Sequence, residues 1–168
     1  MRKNLSNKQI EKYSRQIVLK NVGTIGQKKI LKSKVLVVGA GGLGCPVIDY
    51  LSRAGVGRLG IIDYDKIDPS NIQRQSIYTF KDVGKYKVDV LKRKIMDINP
   101  DVKTKIFKSK ITNKNVDRIL KQFDIIIDGS DNFKTKFLLN KFARKLKKTL
   151  IVGAISKYDG HVFSFNFK

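Results

Sequence analysis

The stretch Lys34-Val35-Leu36-Val37-Val38-Gly39-Ala40-Gly41-Gly42-Leu43-Gly44 decides the fold. After one lysine its residues are apolar and largely β-branched, as in a strand buried within a parallel sheet. Gly39, Gly41 and Gly44 then stand at G-x-G-x-x-G spacing, with Gly42 as a fourth glycine. In a strand-to-helix turn one glycine permits the tight bend, one lets the backbone approach phosphate oxygens, and one lets the helix pack close to the strand. The helix that follows presents unpaired N–H groups and a partial positive charge, and Pro46 near its start forfeits no needed hydrogen bond. The pattern predicts a grip for nucleotide phosphates.

Glycine spacing alone also fits an ordinary turn, so the flanking residues matter. Arg58-Leu59-Gly60-Ile61-Ile62-Asp63 reads as a second strand closing on an acid nineteen residues beyond Gly44, where a carboxylate reaches a ribose hydroxyl. Asp63 could equally cap a turn at a strand end. The order strand, glycines, helix, strand, acid favours the nucleotide reading.

Upstream, Ser6-Asn7-Lys8-Gln9 is a capping-box pattern ahead of Ile10, Tyr13, Ile17 and Val18 at helical spacing. The predicted N-terminal helix carries Arg15, which on composition alone is a solvated helix-face charge. Val22-Gly23 to Gly26 breaks the pattern before a short helix, Gln27 to Lys32. Downstream, the polar segment 64–75 falls at the expected carboxyl end of the sheet, where ligands bind. Asn71, Gln73 and Arg74 there are candidate nucleotide contacts, with Arg74 neutralising phosphate charge, or else parts of a surface loop closed by Asp68-Pro69. A helix opens within Val83-Gly84-Lys85-Tyr86-Lys87-Val88 and stops at Asn99-Pro100. Lys87 in its first turn opposes the helix dipole and points to a bound anion.

Val102 to Phe107 is a predicted strand, and Thr112 caps a helix reaching Lys121. The strand Phe123 to Ile127 ends in Asp128-Gly129-Ser130-Asp131-Asn132. A carboxylate there would hold Mg²⁺ on the phosphates or cap the next helix, whose stripe is Leu139, Phe142, Ala143 and Leu146. Leu150 to Gly153 and Val162 to Phe167 are the last strands. The alternation predicts an α/β fold: a doubly wound, mainly parallel, Rossmann-like sheet with helices on both faces, residues 1–168 forming one domain.

At 168 residues and 41% hydrophobic content the chain can bury a core. The single cysteine, Cys45, excludes an internal disulfide and a multi-cysteine zinc site, and reads as a small packed residue. No apolar stretch is long enough to span a membrane, and Met1 to Lys12 has no signal-peptide apolar region, so the expected location is cytoplasmic. The net charge of +22 suits an anionic partner. The lysines are spread out, without an arginine-rich block or an aromatic-basic ladder, which favours lysine bias over a nucleic-acid partner.

The ordered set of motifs resembles the HesA/MoeB/ThiF superfamily of adenylyltransferases. It comprises Tyr13-Ser14-Arg15-Gln16-Ile17, Gly39 to Gly44, Ala54-Gly55-Val56-Gly57, Asp63-Tyr64-Asp65, Ser70-Asn71-Ile72-Gln73-Arg74-Gln75, Val83-Gly84-Lys85-Tyr86-Lys87 and Ser130-Asp131-Asn132. The resemblance implies attack of a C-terminal glycine carboxylate on the α-phosphorus of ATP, giving an acyl-adenylate and pyrophosphate. By it, Gly42 approaches the phosphates, Asp63 holds the ribose, and Ser70, Asn71, Ile72, Gln73, Arg74 and Lys87 line the ATP site. Asp131 coordinates Mg²⁺ beside Asn132, and Arg15 acts in the neighbouring subunit's site, which implies a homodimer. The implied partner is an ubiquitin-like sulfur-carrier protein ending in Gly-Gly.

Departures from the family pattern accompany the match. The paired Cys-x-x-Cys zinc ligands and crossover loop that usually follow the last strand are absent, so no zinc site and a truncated, split or incomplete enzyme are expected. Lys136 stands where arginine is usual, and His161 where glutamine is common. Alternative readings are a non-catalytic nucleotide-binding module, an NAD-linked oxidoreductase, and an ATP-dependent tRNA-modifying dehydratase of the same family.

Overall fold

The computed structural model describes residues 5–167. Its centre is strand β1, Lys34–Val38, paired in parallel with β2 (Arg58–Ile62) on one side and β4 (Ile125–Asp128) on the other. β3 (Lys103–Phe107) lies outside β2, β5 (Thr149–Ser156) lies outside β4, and β6 (Asp159–Asn166) closes the edge as the antiparallel arm of a hairpin. The order is β3-β2-β1-β4-β5-β6. The strand order reverses between β1 and β4, from stepping outward through β2 and β3 to stepping outward through β5 and β6, which opens a crevice at the carboxyl ends of β1 and β4.

The alternation along each strand divides the core. Val35, Val37, Leu59 and Ile61 face α4 (Gly44–Ala54) and α5 (Lys87–Ile98), whose Ile48, Val88, Leu91 and Ile95 complete that layer. Leu36, Val38, Ile62 and Ile126 face α6 (Val116–Leu120) and α7 (Phe133–Lys145), with Phe123, Leu139, Ala143 and Leu150. Full burial of each such branched side chain is worth about 1.5–3 kcal/mol in transfer free energy. Gly60 in β2 has a packing reason, since a Cβ there would overlap the Phe123 ring. Helices on both faces and a mainly parallel sheet agree with the prediction from sequence.

The last two strands run longer than expected, Thr149–Ser156 and Asp159–Asn166 against Leu150 to Gly153 and Val162 to Phe167, and the helix boundaries differ in three places. The N-terminal helix is split at Tyr13 into α1 (Asn7–Lys12) and α2 (Ser14–Ile17), although the capping box on Ser6 and Gln9 forms as expected. Gly23 and Gly26 do not end the helical run: α3 spans Gly23–Lys32, so the helix begins four residues before the expected Gln27. Thr112 is no cap; its carbonyl accepts from Asn115 and Val116, and Asn115 precedes the shorter α6.

Tyr13 causes the split. It is buried, and its hydroxyl accepts a 3.0 Å hydrogen bond from Asn99 Nδ2, which also donates to the Ser52 carbonyl. Gly55, with φ +82°, leaves room for the phenol, because a Cβ there would overlap the ring. Lys12 Nζ donates to Asn99 Oδ1 and pairs with Asp101. Gly55 and Asn99 end α4 and α5, so this knot fastens the N-terminal helices to the amino end of the sheet. Among the described residues no helix is long and apolar enough to cross a membrane.

Candidate nucleotide site

Two turns interlock at the carboxyl ends of the central strands. Gly39, at φ +90°, donates its N–H to the Ile62 carbonyl, and a Cβ on it would stand 2.9 Å from the Gly129 oxygen. A Cβ on Gly44 would overlap the Gly39 carbonyl. Gly129 donates to the Val38 carbonyl and lies against the Gly44 backbone. Backbone thus packs on backbone, and the helix α4 begins where the two turns meet.

The peptide of Ala40 is held on both sides. Asp63 Oδ2 accepts its N–H at 2.7 Å, while Oδ1 accepts the Asp65 N–H at 2.7 Å. The Tyr78 hydroxyl donates to the Ala40 carbonyl at 3.0 Å, and Cys45 Sγ donates to the same oxygen at 3.4 Å. Burial pushes the Cys45 thiol up to about 11 and raises the Tyr78 hydroxyl well above its ordinary range. Both remain protonated donors at neutral pH, which makes Cys45 a packed residue as the sequence suggested. Asp63 still has lone pairs for a ribose hydroxyl, but its first task in this fold is bracing the glycine turn. Tyr78 went unnoticed in the sequence because nothing local links it to a residue 38 positions away.

The segment after β2 brings charge to the turn. Asp68 caps a 3-10 turn, Pro69–Asn71, through the Ser70 N–H, and the Asn71 side chain accepts from the Asp68 N–H. Arg74 Nη1 donates to the Ser70 carbonyl, and the Arg74 Cγ and Cδ lie 3.7 Å from the position of a Cβ on Gly42. The structure therefore puts Arg74 beside Gly42, while Ser70 and Gln73 are exposed and Ile72 packs against the α4–α5 core layer. Lys87 is buried in the first turn of α5, where its Nζ meets Asp65 Oδ2 at 3.2 Å. That carboxylate offsets the dipole that opposes a lysine there. The Lys87 charge also reaches Cys45 at the start of α4.

The acids after β4 have divided roles. Asp128 is fully buried and accepts from the Ser130 N–H, the Ser130 hydroxyl and Lys136 Nζ. Lys136 Nζ also donates to the Gly153 carbonyl at 2.8 Å, tying the turn to β5. Asn132 caps α7 by accepting from the Thr135 N–H. Asp131 is exposed between them, and its Oδ1 accepts from the Asn132 amide at 3.3 Å. It is neither the internal brace nor the helix cap. Among the described residues no group of three or more His, Cys, Asp or Glu is arranged to hold a metal.

Arg15 is exposed in α2, at the amino end of the sheet beside the Tyr13 knot, and is not brought to the glycine turn of its own chain. The fold also assembles what the sequence does not show as a ladder: Lys66 and Lys108 over the Tyr86 ring at 5.2 and 5.1 Å, and Lys110 over Tyr64 at 4.3 Å. These basic-aromatic contacts join the loops after β2 and β3.

A doubly wound sheet whose glycine turn is braced by an acid at the end of β2 and wedged against an Asp-Asn turn after β4 defines a Rossmann-like α/β domain. The chain belongs to the ThiF family, whose model matches residues 13–168. It is 41% identical over 161 residues to the sulfur carrier protein adenylyltransferase of Thermus thermophilus, covering 96% of this chain and 59% of that protein. The probable molybdopterin-synthase adenylyltransferase of Porphyra purpurea is 41% identical over 157 residues, 94% of this chain and 41% of the relative. Among solved structures, E. coli MccB with ATP superposes with a TM-score of 0.71 at 28% identity, covering 76% of this chain and 38% of MccB. The chain thus spans between 38% and 59% of the length of these relatives.

Proposed function

We propose that this chain is an adenylyltransferase domain that uses ATP to activate the C-terminal glycine carboxylate of an ubiquitin-like sulfur-carrier protein. The reading is supported by a glycine turn with Arg74 beside Gly42, Asp63 on the Ala40 N–H and Lys87 on the neighbouring Asp65, in a chain 41% identical to a sulfur carrier protein adenylyltransferase. A carboxylate oxygen attacks the α-phosphorus, the bond to the β-phosphate oxygen breaks, and pyrophosphate leaves with the electron pair. An anion attacking a polyanion needs positive charge and alignment more than a proton-transfer pair. Arg74 and Lys87 supply the charge, the glycine backbone and α4 N-terminus hold phosphate oxygens, and Asp63 takes the ribose. Ser70, Asn71, Ile72 and Gln73 line the site through the segment that carries Arg74.

Mg²⁺ fits the donor set. The ion takes one or two carboxylates and completes its shell with phosphate and water oxygens, and Asp131 is one exposed carboxylate, two residues beyond the Gly129 backbone that packs on the glycine turn, with Asn132 next to it. Bound there, the metal would neutralise phosphate charge. The site is completed by Arg15 of a second copy in a homodimer. Support comes from the placement of Arg15 far from its own glycine turn and from the exposed Val18, Leu19 and Ile25 around it. The reading locates the reaction in the cytoplasm, where ATP is supplied.

The test is carrier-dependent ATP–pyrophosphate exchange with candidate proteins ending in Gly-Gly, alongside calorimetry with ATP and NAD. Exchange by wild type and a fall of at least about a hundredfold in Asp131→Asn, roughly 2.7 kcal/mol of barrier, are expected. Folding stability should hardly change, because Asn132 rather than Asp131 caps α7. Preference for NAD, or near-normal exchange by the variant, would overturn the respective assignments.

A further inference from the structure

Successive peptides of the glycine turn are pinned by side chains. Asp63 accepts the Ala40 N–H at 2.7 Å and so fixes the Gly39–Ala40 peptide. The next peptide, Ala40–Gly41, is fixed through its oxygen, which accepts from the Tyr78 hydroxyl at 3.0 Å and from Cys45 Sγ at 3.4 Å. Tyr78 is 3% exposed and packs in the same core layer as Ala40 and Cys45. Its own N–H donates to the Gln75 carbonyl, and the Thr79–Asp82 hydrogen bonds follow directly, so the ring has a fixed seat. Phenylalanine would fill the same space, so it is the hydroxyl and not the ring that calls for a reason.

Among the described residues every peptide bond is trans, and in a trans peptide C=O and N–H point in opposite directions. Drawing the Ala40 oxygen into the core therefore turns the Gly41 N–H outward. Among the described residues that N–H makes no hydrogen bond, although the Gly41 carbonyl accepts from the Cys45 N–H. An unpaired N–H just before α4 is open to an acceptor from outside the chain. The arrangement does not enforce itself. Rotating this one peptide changes ψ of Ala40 and φ of Gly41, and glycine takes either sign of φ at little cost. A flipped peptide would face its carbonyl oxygen outward and repel an anion. The Tyr78 hydroxyl opposes the flip, because the oxygen cannot leave the core without breaking that bond; the thiol, a weaker donor, is a second hold.

We propose that Tyr78 is a positioning residue for phosphate binding, its hydroxyl holding the Ala40–Gly41 peptide so that the Gly41 N–H is presented to a phosphate oxygen of the nucleotide. Its role rests on the ATP reading above and extends that reading to a residue that acts through the backbone rather than on the ligand. The effect falls on the phosphates and spares the nucleoside, since Asp63 and the Gly39–Ala40 peptide keep their own bond.

Tyr78→Phe, Cys45→Ala and the double variant are to be compared with wild type by calorimetry against ATP·Mg²⁺ and adenosine, by thermal unfolding, and by NMR relaxation of the Gly41 amide in the nucleotide-free protein. Tyr78→Phe should bind ATP about fivefold more weakly, the net worth of one hydrogen bond, while keeping wild-type adenosine affinity. Its Gly41 amide should broaden by exchange between the two peptide orientations. Cys45→Ala should bind ATP within about twofold of wild type, because a thiol is a weak donor. The double variant leaves the Ala40 carbonyl without either donor and should lose more than the product of the single losses. A hydroxyl that only satisfies a buried carbonyl would also lower the melting temperature on removal, so the scans serve to set a binding temperature at which every variant is folded. Tyr78→Phe with equal losses for ATP and adenosine, or with a Gly41 amide as sharp as in wild type, would overturn the positioning role. Wild type that binds ATP no more than about twofold tighter than Tyr78→Phe refutes Tyr78 alone; wild type that binds no ATP refutes the nucleotide reading and the role of Tyr78 with it.

Discussion

Replacing Lys136 with methionine keeps most of the side chain's volume and removes its charge from the turn that carries Asp131. Asp128, fully buried, would keep the Ser130 N–H and hydroxyl but lose the ammonium 3.2 Å away, and the Gly153 carbonyl would lose its 2.8 Å donor. Removing one partner of a buried ion pair costs about 3–5 kcal/mol. The lower end, about 3 kcal/mol, applies here, because two donors remain on Asp128 and the Lys136 side chain is 16% exposed, leaving water a path to the site. For a chain of this size that is a drop of about 6–12 °C in melting temperature. The assay is denaturant and thermal unfolding of wild type, Lys136→Met, Asp128→Asn and the double variant. Asparagine at 128 retains an acceptor for Ser130 without a charge needing compensation, so the double variant should be about 2 kcal/mol more stable than the sum of the single losses. A Lys136→Met protein within about 0.5 kcal/mol of wild type, or strict additivity, would refute the account of Lys136 as the counter-charge that closes this turn.

Asp82 gives a pH dependence of definite sign. Burial raises its carboxyl, but hydrogen bonds from the Thr79 side chain and backbone and from Arg93 outweigh that and hold it below the usual carboxylate range. Its stabilisation is present above the unfolded value of about 3.9 and is lost as pH falls through the lower folded value; the stability gap between wild type and Asp82→Asn should therefore close on acidification, as urea titrations from pH 6 downward will show. Cys45, buried and pushed up to about 11, should resist alkylation at pH 8 in the native protein and react readily once urea unfolds it, as mass spectrometry of labelled chains measures. Gly44→Ala should abolish ATP binding and cost several kcal/mol, because its methyl would overlap the Gly39 carbonyl and neither backbone can retreat from the Gly129 turn; calorimetry and unfolding check both parts.

Local pattern carried the sequence a long way in this chain. Strand alternation and β-branched runs announced the parallel strands, because a strand buried on both faces has little choice of residue. The glycine turn was legible for the same reason: Gly39 and Gly44 occupy positions that no Cβ can share, so the requirement is written in residue identity itself. The capping box at Ser6 and Gln9 is likewise a contact between residues three apart. Candidate residues Asp63, Arg74, Lys87 and Asp131 could be proposed because each lies next to such a local mark.

What escaped the sequence were pairings between distant residues. The split of the N-terminal helix at Tyr13 depends on Asn99, 86 positions on, and the dipole-opposed Lys87 is explained by Asp65, 22 positions back. Which acid is buried and which exposed in Asp128-Gly129-Ser130-Asp131-Asn132 could not be read from five adjacent polar letters; Lys136 and Gly153 decide it. The sequence by itself determined the strands, the helices and the turn that only glycine can make, since these follow from periodicity and backbone sterics within a few residues. Only the tertiary structure decided which polar group meets which, because a buried charge or amide is stabilised by partners that chain folding delivers from far away in sequence.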